Sequence, residues 1–342
     1  MKVGRLQVVV GVTLSAVCLW IAFRRIAIAD LAANLRMADY RWLICYPFLA
    51  TALNLVRSEI WRVLLRRRVT RADAFWAYVT GFLVNNVLPF RMGEVARIGL
   101  LAARRHLPVV EVASTAALER VLDLVSVMAI IAGSLPFAVG AVELRHATVV
   151  LVITAAFATT GLALVIVLGD RAEPALGRML AVMLPRHGDA ALRRWRELTA
   201  AVSVARDPAI AIRAVVGSVI VWTITIVLHW TILRAFQPAA TLLQAALLVG
   251  IVSIAGAVPA APGAIGTYQW VAQQALALPF PAAYTPASAL AIAIVTHAAT
   301  YSYGSVLGAV GLWYFGVPLT KLARSSPATD LPYEAAGPIP RS

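Results

Sequence analysis

Between Ala235 and Thr320 the chain carries not one Asp, Glu, Lys or Arg. In a water-soluble fold exposed positions recur every few residues, and charged side chains are the ones most often found there. So long an uncharged stretch therefore points to hydrocarbon as the solvent. The rest of the chain agrees, being 61% hydrophobic and 13% charged with a mean hydropathy of +0.82. A backbone in lipid must satisfy its own hydrogen bonds, and runs of this length do so as helices. The expected fold class is all-α, a polytopic helical membrane protein.

A helix needs ~20 apolar residues to cross a ~30 Å hydrocarbon core. That rule predicts six full spans, at about 6–23, 42–64, 109–136, 147–168, 211–234 and 287–315. Two further apolar stretches, about 72–104 and 239–278, are each broken by proline and glycine near the middle. Each reads as a re-entrant pair of half-helices that enters and leaves on one side. The order is then span, span, broken pair, span, repeated once, so pseudo-repeats at about 5–138 and 147–316 run in opposite directions through the membrane. Interrupted helices at matching places in inverted repeats mark the binding site of a transporter. At residue level Pro89 precedes Gly93 by four positions, as Pro259 precedes Gly263.

The net charge of +14 does not indicate nucleic acid, because all but two of the 30 basic residues are arginines scattered between apolar runs. They read as loop charge that orients a membrane protein. Both termini are placed in the cytoplasm, with Arg62, Arg66, Arg67, Arg68, Arg71, Arg104 and Arg105 on that face. The basic link 170–208, with Leu192, Trp195, Leu198 and Val202 at helical spacing, is read as an amphipathic segment along the inner headgroups. Residues 1–324 form one transmembrane domain, and 325–342, rich in proline and small residues, a disordered tail. Cys18 and Cys45 are too few and too isolated for a disulfide framework or a metal site. No cofactor motif occurs, neither a phosphate-binding Gly-rich loop nor a dinucleotide fingerprint.

Charge inside the broken stretch is the anomaly. In NNVLPFRMGEVAR, residues 85–97, Pro89 to Glu94 form the tip of the first re-entrant pair, and Arg91, Glu94 and Arg97 ring a polar cavity there. An intramembrane charge costs ~2.5–3.5 kcal/mol on insertion scales, which makes function the default reading. The other reading is a full span over 72–88 with the charges in an ordinary loop. Further on, ALERVLDL places Glu119 and Asp123 four apart on one helix face, with Arg120 a quarter-turn away. They serve either as ion pairs that lock helices or as direct substrate contacts. Arg57, Glu59 and Arg62 read as side chains snorkelling to the inner interface. In the second broken stretch, AVPAAPGAIGTYQ offers backbone amides, Thr267, Tyr268 and Gln269. The last span offers His297, as a packing residue or as a proton carrier, with Tyr301 and Tyr303.

With LPFRMGEVAR, ALERVLD and PGAIGTYQ in view, the chain resembles the transmembrane domain of the lysylphosphatidylglycerol synthase/flippase family, over residues 5 to 316. The resemblance implies a lipid flippase module with paired re-entrant helices. No segment matches the family's soluble aminoacyl-transferring domain, so lysyl transfer is not expected. The family pattern usually has glutamate where this chain has Gln269 and an arginine in the last span where it has His297. Arg91, Arg97 and Arg120 are then the candidates for a lipid phosphate, with Glu94 and Glu119 either holding those arginines in place or meeting a cationic headgroup. Pro89, Gly93, Pro262, Gly263 and Gly266 shape the breaks. The expected partners are membrane lipids with anionic headgroups in a bacterial-type inner membrane, and a separate lipid-modifying enzyme. Two alternatives remain: an intramembrane transferase with Glu94 or Asp123 as base, and a non-transporting subunit of a lipid synthase.

Overall fold

The computed structural model describes residues 2–88, 92–137, 171–180, 203–255 and 261–318, and single positions between 153 and 199. Among them there is helix and no strand. The expected span at 147–168, the tail from 325, and Pro89, Arg91 and Pro259 lie outside the described residues or among the isolated ones. The helices are α1 (Lys2–Phe23), α2 (Ile28–Met37), α3 (Cys45–Leu64), α4 (Arg71–Val87), α5 (Met92–Arg105) and α6 (Val109–Ser134). They continue after the link with α7 (Pro208–Phe236), α8 (Leu242–Ala255), α9 (Thr267–Ala277) and α10 (Pro286–Phe315).

Local chemistry sets the helix ends. Asp207 caps α7 by accepting from the Ala209 amide at 2.9 Å, with Pro208 in the first turn, where its missing N–H costs nothing. Thr285 and Pro286 open α10 in the same way, and Gly316, at φ 65°, closes it in the left-handed region. Among the described residues, three helical segments are long and apolar enough to cross a membrane, Val109–Phe137, Pro208–Phe236 and Pro286–Phe315. Gly11–Phe23 of α1 and α2 (Ile28–Met37) pass that test together, bent by 84° between them. α3 carries Arg57, Glu59 and Arg62 within its 20 residues. Among the described residues, three of the expected spans, at 109–136, 211–234 and 287–315, thus meet the length and composition criterion unaided. In the link, Arg196 bridges to Glu173 at 2.7 Å, tying the helical stretch 171–180 to the segment that carries Trp195.

Both broken stretches fold as helical hairpins. α4 and α5 have 17 and 14 residues, ~26 and ~21 Å at 1.5 Å per residue, less than the ~30 Å hydrocarbon core. They pack on each other along their length. At the open end Asp73, at the start of α4, receives Arg105 Nε at 2.6 Å from the end of α5, and Tyr314 of α10 donates to the same carboxylate at 2.9 Å. At the tip the Asn85 side chain accepts the Gly93 amide at 2.8 Å, and a Cβ at Gly93 would lie 2.0 Å from the Gly81 carbonyl oxygen. Only glycine lets the arms meet there. α8 and α9, of 14 and 11 residues, pack on each other likewise, with the turn Pro262–Ala264 in the break.

The hairpins are gripped by the long helices. α10 lies along α4, α6 along α8, and α3 along α7, while α5 rests on α6 and α9 on α10. Between α4 and α10 the contact is made by small residues: a Cβ on Gly308 would meet Leu83 Cβ at 2.4 Å and the Val79 carbonyl oxygen at 2.9 Å. Small residues at such crossings are what let membrane helices approach closely. Gly308→Leu is expected to abolish recovery of folded protein from detergent extracts, because backbone, unlike a flexible side chain, cannot step aside. Gly133→Ala in α6, where nothing lies within 4 Å, is the matched control and is expected to be neutral or slightly stabilising. Equal yields of the two variants would overturn this account of the crossing.

Candidate functional site

Six ionised side chains meet where α3, α4, α5 and α6 converge. Glu119 and Asp123 project from one face of α6, as their four-residue spacing requires. Arg57 of α3 donates to Asp123 at 3.1 and 3.2 Å and lies 3.4 Å from Glu119 Oε1. Arg97 of α5 donates from Nη1 to Glu119 Oε2 at 3.1 Å and from Nε to Glu94 Oε2 at 2.8 Å. Arg120 completes the set, with Nη1 3.3 Å from Asp123 and Nη2 3.5 Å from Glu119 and 3.8 Å from Glu94. Three guanidinium groups face three carboxylates, so the cluster as a whole is neutral.

Aromatic rings enclose it. The Arg97 guanidinium lies 4.7 Å from the Trp61 ring centroid and 4.6 Å from that of Tyr78, a stacking suited to a planar, weakly hydrated cation. Trp61 is held in turn by a hydrogen bond to Thr115 at 3.1 Å, and the Tyr78 hydroxyl donates to Glu119 at 2.9 Å. Burial is graded across the cluster. The Arg97 and Glu119 side chains are 3% and 4% exposed, whereas Arg120 and Glu94 are 43% and 36% exposed. The interior pair is sealed, and the more exposed face of the cluster is formed by Arg120 and Glu94. Beside it a small cavity is lined by Arg57, Glu119, Asp123, Leu122, Ser218 and Val221, among others.

The second hairpin has a neutral counterpart. The Gly266 amide donates to Gln269 Oε1 at 2.7 Å, which identifies the other amide atom as the donor Nε2. Nε2 lies 2.7 Å from His297 Nδ1, so that ring nitrogen accepts. His297 Nε2 must then carry the proton that bonds the Gly263 carbonyl oxygen at 2.8 Å. The chain of bonds is complete for a neutral imidazole in one tautomer. Gly263 and Gly266 have φ of 67° and 91°, which is why glycine stands at both. Tyr268 stacks on His297 at 4.7 Å, and Tyr301, edge-on to the same ring, bonds the Asn86 carbonyl at the end of α4.

The residues expected from sequence thus fall into two groups. Glu94, Arg97, Glu119, Arg120 and Asp123 come together, as do Gln269, His297, Pro262, Gly263 and Gly266; Arg91 lies outside the described residues. Arg57 is corrected. The sequence places it at the interface as a snorkelling side chain, but it turns inward, partly buried and paired with Asp123, while its neighbours Glu59 and Arg62 pair with each other at 2.9 Å. A signal was present, since Asn54, Arg57 and Trp61 recur at helical spacing and place one polar stripe on α3. Tyr78 was missed because nothing in α4 separates it from other aromatic residues.

Apolar helices of membrane length around a sealed charge cluster define the class, an integral membrane protein. The chain belongs to the family of the lysylphosphatidylglycerol synthase transmembrane region, whose model matches residues 8–308. It is also similar to a protein of Haloferax volcanii named glycosyltransferase AglD, 25% identical over 361 residues that cover 94% of this chain and 56% of the other. The chain spans little more than half the length of that relative. No solved structure matches.

Proposed function

We propose that the chain is a lipid translocase that carries a phospholipid or lipid-linked headgroup across the cytoplasmic membrane. The observation that carries this reading is the half-open cluster at the tip of the first hairpin. A sealed Glu119–Arg97 pair positions Arg120 and Glu94 at its mouth, and Arg91 stands three residues before Glu94. An arginine fork binds phosphate oxygens bidentately, which suits a phosphodiester headgroup. In this reading Arg97, whose side chain is sealed in the interior, is a positioning residue, and the phosphate falls to Arg91 and to the half-exposed Arg120.

Among the described helices the packing supports a repeated unit of span, broken pair and span. Exchanging α3 with α7, α4 with α8, α5 with α9 and α6 with α10 carries the pair α4–α10 onto α8–α6. It also carries α3–α4 onto α7–α8 and α5–α6 onto α9–α10, all of which are in contact. Such exchangeable halves provide two alternating arrangements around one central site. The ionic anchor belongs to the first half, facing the cytoplasm, and the neutral Gln269–His297 pair to the second.

The test is translocation of a fluorescent phosphatidylglycerol in liposomes of phosphatidylcholine and phosphatidylglycerol, read by quenching of the outer leaflet. Arg91→Ala and Glu94→Ala are expected to lower the rate more than tenfold while expression and membrane insertion stay near the parental level. Arg91→Lys should also be impaired, because a lysine presents a point charge and not a fork. Parental rates for both alanine variants would make the motif structural. A second reading, sugar transfer from a lipid-linked donor, has the name of the Haloferax relative in its favour. Against it, Glu119, Asp123 and Glu94 are each paired with arginine, which leaves none of them free as a base. Turnover of a labelled polyprenyl-phosphate sugar by the purified protein would favour it over translocation.

A further inference from the structure

Arg234, in the last turn of α7, is a cation without an anion. Its guanidinium lies 5.1 Å from the centroid of the Trp42 ring and 5.6 Å from that of Trp230, and the two rings stand edge to face, 5.7 Å apart. Both rings therefore lend their electron-rich faces to one charge. The Nε is buried without a hydrogen-bond partner, and among the described residues no carboxylate comes within ion-pair distance of this guanidinium. Arg57, Arg97 and Arg120, by contrast, each meet two carboxylates or more. Asp39 reaches the same corner through its backbone, donating its amide to the Ala235 carbonyl at 2.8 Å, but its carboxylate accepts the Arg41 amide at 3.2 Å.

The corner is fixed by the fold. Trp42 belongs to the short 3-10 turn Tyr40–Ile44, which packs on the end of α7. Trp230 donates Nε1 to the Ala240 carbonyl at 2.9 Å, and the Tyr40 hydroxyl ties the turn back by donating to the Leu35 carbonyl at 2.6 Å. Arginine beside tryptophan at a membrane surface commonly forms no more than an anchor, the ring in the headgroup layer and the charge in water. Arg24 and Trp20 have that form, 5.0 Å apart and both exposed. Arg234 differs, because it and both of its rings are half-buried and its Nε is withdrawn from water. A donor so placed calls for a partner that the chain does not itself supply.

The site stands far from the ion cluster. The Arg57 guanidinium lies 5.8 Å from the Trp222 ring, and Arg234 follows Trp222 by 12 residues. That is ~18 Å along α7 at the helical rise, more than half of the ~30 Å hydrocarbon core. A guanidinium stacked on rings keeps its edge for a pair of phosphate oxygens. The segment that brings Trp42 also presents Ile44 and Phe48, 66% and 72% exposed, an apolar surface that suits acyl chains. We propose that Arg234, between Trp42 and Trp230, binds the phosphate of a membrane lipid at the end of the bundle remote from the ion cluster. Free phosphate shares the chemistry but makes no use of the apolar surface, which commits the site to a lipid. As a lipid site it is independent of the translocase reading; as the station where a headgroup arrives or departs it rests on that reading.

Binding is read by calorimetry on the full chain in a neutral maltoside detergent, with dioctanoylphosphatidylglycerol, dioctanoylglycerol and inorganic phosphate as probes. Arg234→Gln is expected to lower the number of dioctanoylphosphatidylglycerol molecules bound per chain by about one, while the thermal midpoint stays at the parental value because no ion pair is broken. Arg234→Lys, which keeps the charge, is expected to weaken the site at least threefold for want of the fork. Dioctanoylglycerol is expected to bind independently of residue 234, and inorganic phosphate at least tenfold more weakly than the lipid. A parental isotherm for Arg234→Gln overturns the proposal, and inorganic phosphate held as tightly as the lipid overturns the choice of a lipid. A second measurement needs no variant. Phenylglyoxal adducts located by peptide mass spectrometry report each guanidinium separately. In the parent, Arg234 is expected to react and to be protected at least fivefold by dioctanoylphosphatidylglycerol but not by dioctanoylglycerol, with the sealed Arg97 unreactive throughout. Absence of protection overturns the site whatever Arg234→Gln does to folding. In the liposome assay described above, Arg234→Gln is expected to lower translocation at least tenfold. A parental rate beside lost binding keeps the lipid site and removes it from the path of the headgroup. A parent that moves no lipid removes the translocase reading and leaves the binding result to decide the site.

Discussion

Arg97→Met is expected to destabilise the folded protein by about 3–5 kcal/mol, the cost of leaving a buried ion pair without one member. The substitution keeps the length of the side chain and removes the charge that faces both Glu94 and Glu119. The cluster then passes from neutral to a net negative charge in a place where Glu119 has almost no water around it. Arg97→Lys is expected to recover part of the loss only, because one ammonium cannot reach two carboxylates in the geometry of the fork. Combining Arg97→Met with Glu119→Leu is expected to cost less than the sum of the single changes, since each removes the charge that the other left exposed. Reversible unfolding in one mixed-detergent system gives all four values. A loss below about 0.5 kcal/mol for Arg97→Met would class the pair with solvent-screened surface bridges and would remove the sealed cluster from the account.

The second large effect concerns the neutral pair. Gln269→Glu and His297→Arg are each expected to lower stability by about 3–5 kcal/mol, because each places a charge in a buried site built for neutral partners. Together they are expected to recover most of it. Nε2 of Gln269 and Nδ1 of His297 are 2.7 Å apart, so the new carboxylate and guanidinium meet directly. The Gly266 amide still has an oxygen to bond, and the Gly263 carbonyl still has a donor. The interaction energy from the four proteins is therefore expected to be large and stabilising. A value within about 0.5 kcal/mol of zero, the range of independent sites, would mean that the two side chains do not touch in the folded protein. The same double variant gives the second half an ionic anchor like that of the first, so its translocation rate reports whether asymmetry between the halves matters.

Much of the architecture was legible in the residues. The uncharged stretch from Ala235 to Thr320 could only be membrane helix, and the prolines and glycines inside 72–104 and 239–278 located both breaks. α4 and α5, and α8 and α9, lie where those breaks imply. The bend between α1 and α2 and the 20-residue length of α3 were less legible, because a run of apolar residues says that a helix is buried in lipid and little about where a turn interrupts it.

By itself the sequence determined the class, the positions of the breaks and the kinds of side chain available there. These depend on composition and on spacing within one element, which a linear text records directly. Only the tertiary structure decided which charge meets which. Arg57 and Asp123 are 66 residues apart in the chain, and Tyr78 and Glu119 are 41 apart. Whether they touch depends on how far each helix is rotated about its own axis, and that rotation is set by packing along the whole length of α3 on α7 and of α4 on α10. Arg57 shows the consequence. Its position near the end of an apolar run is equally compatible with the headgroup layer and with the core, and the phase of α3 against α6 is what turned it inward.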